Sequence, residues 1–163
     1  MNALKKLIAT PNDPILTALR LTLGVIFLAH GAQKTIGLFG GNGFSGTMGF
    51  FTNVMHIPAP LAFAAIMAEF AGGIALILGL ASRLAAFAIA FNMIVAIVMV
   101  HAQNGLFMNW FGTQKGEGFE YHLLAIVVAL PIIVRGSGAF SLDRFLANIP
   151  VRDVHPNAIP SLR

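Results

Sequence analysis

Apolar residues along this chain gather into four runs, at about residues 15–36, 59–81, 84–103 and 120–135. Short stretches rich in glycine, proline and charge separate them. The second run is the most informative. From Pro60 to Arg83 it reads PLAFAAIMAEFAGGIALILGLASR, and Glu69 is the one charge in its body. At about 1.5 Å per residue such a run crosses a hydrocarbon core of about 30 Å. Small residues recur along it at helical spacing: Ala64, Ala68 and Gly72 on one stripe, Ala71, Ala75 and Gly79 on another. Both stripes predict close approach of neighbouring helices. The third run follows with almost no loop, which predicts an antiparallel helical hairpin. The fourth is short, and Pro131 is expected to kink it.

The connecting segments have patterns of their own. Residues 2–9, NALKKLIA, predict a short basic amphipathic helix at the membrane surface. Pro11 and Pro14 break it, and Asp13 before Pro14 signals the start of the next helix. Lys5 and Lys6 before an apolar run invite comparison with a signal peptide. The run is long, carries no A-x-A site and follows two prolines, so it is read as a retained span. In the glycine-rich segment from Gly37 to Pro58, Phe44, Met48, Phe51 and Met55 mark one apolar face of a short helix. That helix is expected to pack over the mouth of the bundle or to cover a lipophilic ligand. The same segment contains GNGFSG (Gly41, Gly43, Gly46), a literal G-x-G-x-x-G. The motif means dinucleotide binding only after a strand in a βαβ unit, and here it follows a membrane span. Phe107, Trp110 and Phe111 between the third and fourth runs suit an aromatic interface belt. Beyond Gly136-Ser-Gly138, a partly loose tail with scattered prolines is expected, His155 in it being exposed to solvent.

Composition narrows the class. Of the 163 residues 57% are hydrophobic and 10% charged, with a mean hydropathy of +0.82. Soluble domains carry about 25% charged residues, so a soluble reading fails. The net charge of +4 reflects the bias of cytoplasmic loops towards Lys and Arg, and nucleic acid is not an expected partner. Counting that bias orients the chain. With four spans, Lys5, Lys6, Arg20, Arg83, Arg135, Arg144, Arg152 and Arg163 fall on one side, against Lys34 and Lys115 on the other. The expected protein is therefore all-α, a four-transmembrane-helix bundle with antiparallel neighbours and both termini cytoplasmic. A short amphipathic helix occupies its first outer loop. Residues 1–14 form the N-terminal amphipathic segment, 15–137 the transmembrane domain and 138–163 the cytoplasmic tail. No cysteine is present, so thiol redox relays and thiolate metal sites are excluded.

Candidate chemistry lies within the spans. A carboxylate at the depth of Glu69 costs several kcal/mol unless it is paired, protonated or facing water, so it marks a functional site by default. His30 and Lys34 stand at i and i+4 on the outer half of the first span, about 6 and 12 Å from the midplane. His101 and His122 fall near the outer ends of the third and fourth spans, Glu120 at the rim and Asn92 near the middle. Arg20 lies one turn inside the opposite face, where it can snorkel to the headgroups. A convergent polar site opening outwards is the expectation. Glu69, His30 and Lys34 are its proton-transfer candidates. Asn92, His101, Glu120 and His122, with Phe44, Met48 and Phe51 over the mouth, are its ligand-binding candidates. Plainer roles stand beside these. Glu69 with Lys34 or a histidine also serves as a buried pair fixing helix register, Asn92 as interhelical glue, and His30 as a partner for a nearby carbonyl. His30, His101 and His122 lack H-x-x-H or E-x-x-H spacing, so no metal site is assigned.

The chain resembles the DoxX family of small bacterial membrane proteins over about residues 15–145. The carriers are Arg20 with Gly24, His30-Gly31 with Lys34, and AEFAGGIALILGL with Glu69, Gly72, Gly73 and Gly79. Arg83 and the closing Gly136, Gly138, Ser141, Leu142 and Asp143 complete it. The resemblance implies a four-helix bundle in the bacterial inner membrane. It also implies kinship to the small subunits of thiosulfate:quinone oxidoreductase and to partners in membrane redox assemblies. Two functions follow as expectations: a quinone-interacting subunit of a membrane oxidoreductase, or a non-catalytic anchor for a redox or stress-response partner. Passage of protons or a small solute ranks third, because paired broken helices are absent. A quinone is the candidate cofactor and a redox protein the candidate partner. The small-residue stripes exceed what one bundle uses, which predicts a homo-oligomer in the bilayer.

Overall fold

The computed structural model describes residues 3–149, and the fold among them is helical throughout. His155, Arg152 and Arg163 lie outside the described residues. Helix α1 (Ala3–Ile8) precedes α2 (Pro14–Thr35), whose first turn is capped by Asp13. The Asp13 carboxylate accepts from the backbone N–H of Ile15 at 2.9 Å and of Leu16 at 3.2 Å, and Pro14 occupies the turn that needs no donor. The short α3 (Gly43–Gly49) runs into a wide π-helical turn at Phe50–Val54. Helix α4 (Ala59–Leu78) ends at Gly79, whose φ of +68° only glycine adopts freely. Helix α5 begins three residues later at Ser82 and continues past Ala96 through a π-helical turn to Asn104. Helix α6 (Glu120–Arg135) and the short α7 (Leu142–Ala147) complete the chain.

Three of these helices, Pro14–Thr35, Ala59–Leu78 and Ser82–Asn104, are long and apolar enough to cross a membrane. Helix α6 has 16 residues, about 24 Å at 1.5 Å per residue, and falls short of the same measure. All four share one core. Leu23 and Phe27 of α2 meet Leu76 of α4, Ile89 and Met93 of α5, and Ala125, Ala129 and Ile132 of α6. Large apolar side chains cover the outside as well, among them Phe63, Phe87, Phe91, Val98, Leu124 and Val127. Helices that are apolar all round suit lipid as their solvent.

Two expectations about packing are corrected. The predicted stripes do not carry the α2–α4 contact: Ala64 and Ala71 are exposed, and Gly72 and Gly79 face Ile89 and Ser141. Instead α2 and α4 meet at Gly24, Gly31 and Gly73. A Cβ on Gly73 would lie 2.5 Å from the Leu28 nitrogen and 3.0 Å from the Gly24 carbonyl oxygen. Arg20 does not snorkel; it is 1% exposed. Its guanidinium donates to the carbonyls of Leu76, Ile77 (2.8 Å), Ser137 (2.9 Å) and Phe140 (3.2 Å), joining the end of α4 to the segment after α6. The beginning of the supposed tail is correspondingly fixed. Asp143, 1% exposed, accepts from the Ala81 and Ser82 N–H groups at 2.7 and 3.0 Å and so caps α5 from a distance. One end of the bundle, the hairpin end, is thus knotted by hydrogen bonds. The other, the loop end, carries α3 and residues 105–119.

Candidate functional site

Glu69 projects from the middle of α4 and is 4% exposed. Both of its oxygens have partners. Lys34, in the last turn of α2, forms an ion pair with Oε2, and the Asn92 amide of α5 donates to Oε1 at 3.0 Å. The Asn92 amide also lies 3.5 Å from the Ala65 carbonyl, so it bridges α5 and α4. Three helices therefore converge on one carboxylate. The burial is unequal: the Lys34 side chain keeps 28% of its surface, that of Glu69 only 5%. Lys34 reaches down from the loop end, and Glu69 has no comparable route to water. Removal of a charge from water at this depth is compensated only by direct pairing with further hydrogen bonds, which this arrangement supplies.

Next to the pair stands a group of rings. His30, one turn before Lys34, is exposed and shares a hydrogen bond of 3.2 Å with the Gln33 amide oxygen through Nδ1. Its ring centroid lies 5.9 Å from that of Tyr121, and Phe27 lies 6.3 Å from His30 on the inner side. His30 therefore flanks the pair without bonding Glu69. His122, 7% exposed, lies against His101 with ring centroids 4.1 Å apart and the rings tilted by 41°. His101 Nδ1 donates to the Glu117 carbonyl at 2.8 Å, which leaves its Nε2 as the free acceptor. Two buried polar atoms here lack a partner, the Tyr121 hydroxyl and His122 Nδ1. Buried polar groups are otherwise almost always satisfied, so two orphans beside a paired carboxylate mark a place for a ligand or water.

Other candidates take different places. Glu120 fastens the loop: its Oε1 accepts from the Met108 N–H at 2.9 Å and from the Trp110 indole at 3.3 Å. At the first residue of α6 it bonds to this loop and not to the Glu69 centre. In α3 the residue turned to the body is Thr47, with Met48 and Phe51 half-buried and Phe44 exposed. Phe44 meets Phe63 of α4 edge to face at 6.2 Å, which places the short helix over the loop end of α2 and α4. His30, His101 and His122 form no joint cluster; among the described residues no three His, Asp or Glu side chains converge as metal ligands would. Tyr121 was missed by sequence reasoning. Its signal was available, as the chain's single tyrosine sits beside His122 at the start of a span.

A carboxylate paired with an ammonium and an amide, with a phenol and imidazoles at the rim, can hold a polar headgroup and pass protons to it. A family model described as DoxX matches residues 15–102, which carry Lys34, Glu69, Asn92 and His101 but not Tyr121 or His122. The chain is 27% identical over 128 residues to a Bacillus subtilis protein named "Putative oxidoreductase CatD", covering 78% of this chain and 84% of that one. It is 31% identical over 134 residues to an uncharacterized protein of Haemophilus influenzae, covering 78% and 87% respectively. No solved structure matches it.

Proposed function

The chain belongs to the DoxX family, and from that premise we propose that it is a quinone-interacting subunit of an oxidoreductase system in the bacterial inner membrane. It crosses the bilayer four times with both termini in the cytoplasm. Helix α6 is the fourth span, its length made up by the flanking aromatic loop, and the eight-to-two division of basic residues sets the orientation. The observation that carries the quinone reading is the buried Lys34–Glu69–Asn92 network with the unpartnered Tyr121 hydroxyl and His122 Nδ1 beside it.

Each residue has a defined task. Lys34 and Tyr121 donate hydrogen bonds to carbonyl oxygens of the headgroup. Glu69 holds Lys34 in place and takes or returns a proton, while His30 and His122 exchange protons with the loop end. Met48, Phe51 and Phe44 of the outer helix cover the isoprenoid tail. The quinone supplies two-electron, two-proton carbonyl–hydroquinone chemistry when bound. Electrons reach it from a redox partner protein, because the chain has no cysteine of its own to relay them.

The test begins with a lipid extract of the purified protein and a titration with short-chain ubiquinone and menaquinone analogues in nanodiscs. Saturable binding is expected, weakened about tenfold by Tyr121→Phe, the worth of one buried hydrogen bond. Glu69→Gln is expected to weaken it further. Absence of saturable binding in every lipid tested removes this reading. A second reading draws on the fact that both Glu69 oxygens already have partners. In it the network only fixes helix register in an anchor for a redox partner. Glu69→Gln would then lower stability and partner recovery and leave quinone titrations flat.

A further inference from the structure

The hairpin end carries a surface that the Glu69 centre does not use. There α1, from the start of the chain, packs against α7, from its close. Arg83 donates to the Ala9 carbonyl at 3.0 Å, and the Gly138 N–H donates to the Thr10 hydroxyl at 2.7 Å, so the two termini of the described chain are held together. Along α7 lies a shallow, open hollow lined by Phe140, Ser141, Arg144, Phe145, Asn148 and Ile149. Its character is mixed. Arg144, Asn148 and Ser141 are polar, whereas Phe140 is 89% exposed, Phe145 66% and Ile149 49%.

Phe140 is the most unusual of these. Its φ of +48° lies in the left-handed region, which a bulky side chain adopts only when its surroundings compel it. Those surroundings are visible: Arg20 holds its carbonyl at 3.2 Å, and the preceding Ala139 N–H donates to the Asp13 carbonyl at 3.1 Å. The backbone is fixed so that an aromatic ring stands outwards at the level where the helices end. Charge on this surface is one-sided. Lys5 and Lys6 of α1 are exposed and Arg144 half-exposed. Of the nearby acids among the described residues, Asp13 pairs with Arg135 at 3.4 Å, and Asp143 is buried on backbone N–H groups.

We propose that the paired helices α1 and α7 bind an anionic phospholipid. The Arg144 guanidinium meets the headgroup phosphate, Lys5 and Lys6 add long-range attraction, and Phe140, Phe145 and Ile149 pack along the acyl chains. Basic residues over an apolar face at a membrane boundary are the chemistry that recognises such a headgroup. An acidic protein segment lacks the acyl chains that would cover three exposed apolar side chains.

Native mass spectrometry of the full chain, with phosphatidylglycerol and phosphatidylcholine of identical acyl chains added, tests this. Phosphatidylglycerol should stay bound at collision energies that strip phosphatidylcholine. Arg144→Gln should lower its retention about fivefold, the contribution of one basic residue near an anionic surface, and leave phosphatidylcholine unchanged. Arg144→Lys should keep most of the preference, and Phe145→Ala should weaken both lipids alike. Phe145 is exposed and Arg144 half-exposed, so the fold tolerates their loss. Equal retention of the two lipids, or a preference unmoved by Arg144→Gln, overturns the assignment. Quinone titrations of Arg144→Gln should match those of the unaltered protein, which keeps this outcome separate from the fate of the Glu69 site.

Discussion

At the scale of single residues, the Lys34–Glu69 pair is lopsided, and the lopsidedness has a measurable consequence. Lys34→Met leaves a carboxylate 5% exposed with only the Asn92 amide for company. Breaking a buried pair in that way costs about 3–5 kcal/mol. Glu69→Gln is milder. The glutamine oxygen keeps Asn92, and the Lys34 side chain, already 28% exposed, can extend towards the headgroups at the end of its helix. A loss of about 1.5–3 kcal/mol, that of one hydrogen bond to a charged group, is expected. Reversible unfolding in bicelles should therefore rank Lys34→Met as the more damaging change. The reverse order would mean that Lys34, and not Glu69, is the trapped partner. Tyr121→Phe separates ligand binding from stability. Its hydroxyl has no protein partner, so its removal should leave the unfolding transition in place while weakening quinone retention.

At the scale of elements, the contact between α2 and α4 depends on the absence of side chains at three positions. Gly73→Ala would force a methyl to within 2.5 Å of the Leu28 backbone, and neither helix can yield without moving the other. Overpacking of that kind costs about 1–3 kcal/mol. Its neighbour behaves oppositely. A Cβ on Gly72 meets the Ile89 side chain at 3.5 Å, an ordinary contact, and Ala is a better helix former than Gly by about 1 kcal/mol. Gly72→Ala should leave stability unchanged or raise it, and thermal melts of the two variants in one detergent check the contrast. Comparable losses in both would show that the interface lies elsewhere. Small residues at helical spacing mark two stripes on α4, but two stripes on one helix fit several partners equally well. What selected Gly73 was the position of Gly24 and Gly31 on another helix, a pairing that spacing within α4 does not encode. The π-helical turn at Ile97–His101 makes a similar point. One wide turn rotates the residues after it by about 100°, and no local signal told that His101 would face His122.

At the scale of the whole molecule, the helical class, the tight hairpin and the three long spans were legible because hydrophobic run length is a direct measure of helix length. The Glu69 pairing was legible in part: a lone acid in an apolar run demands a partner, and Lys34 was among the few cations at reachable depth. The hairpin-end knot was not legible. Ser141-Leu-Asp143 reads as a polar tail until the fold places Asp143 over the Ala81 and Ser82 N–H groups. The bonds of Glu120 to its own loop were not legible either, since a carboxylate at a helix start can serve that loop as readily as a distant ligand. The proposed topology joins these levels and exposes them to a direct test. If α6 is a span, residues 105–119 and residues 137–149 lie on opposite sides of the membrane, although α6 is only 16 residues long. The chain has no cysteine, so single cysteines introduced at Lys6, Lys115 and Arg144 report without background. In intact cells, a membrane-impermeant maleimide should label position 115 and spare positions 6 and 144 until the membrane is opened. Labelling of 115 and 144 from the same side would reduce α6 to a helix packed against three spans. Labelling of 6 and 144 in intact cells, with 115 protected, would keep the four spans and invert them, placing Lys34 and the mouth of the Glu69 site towards the cytoplasm.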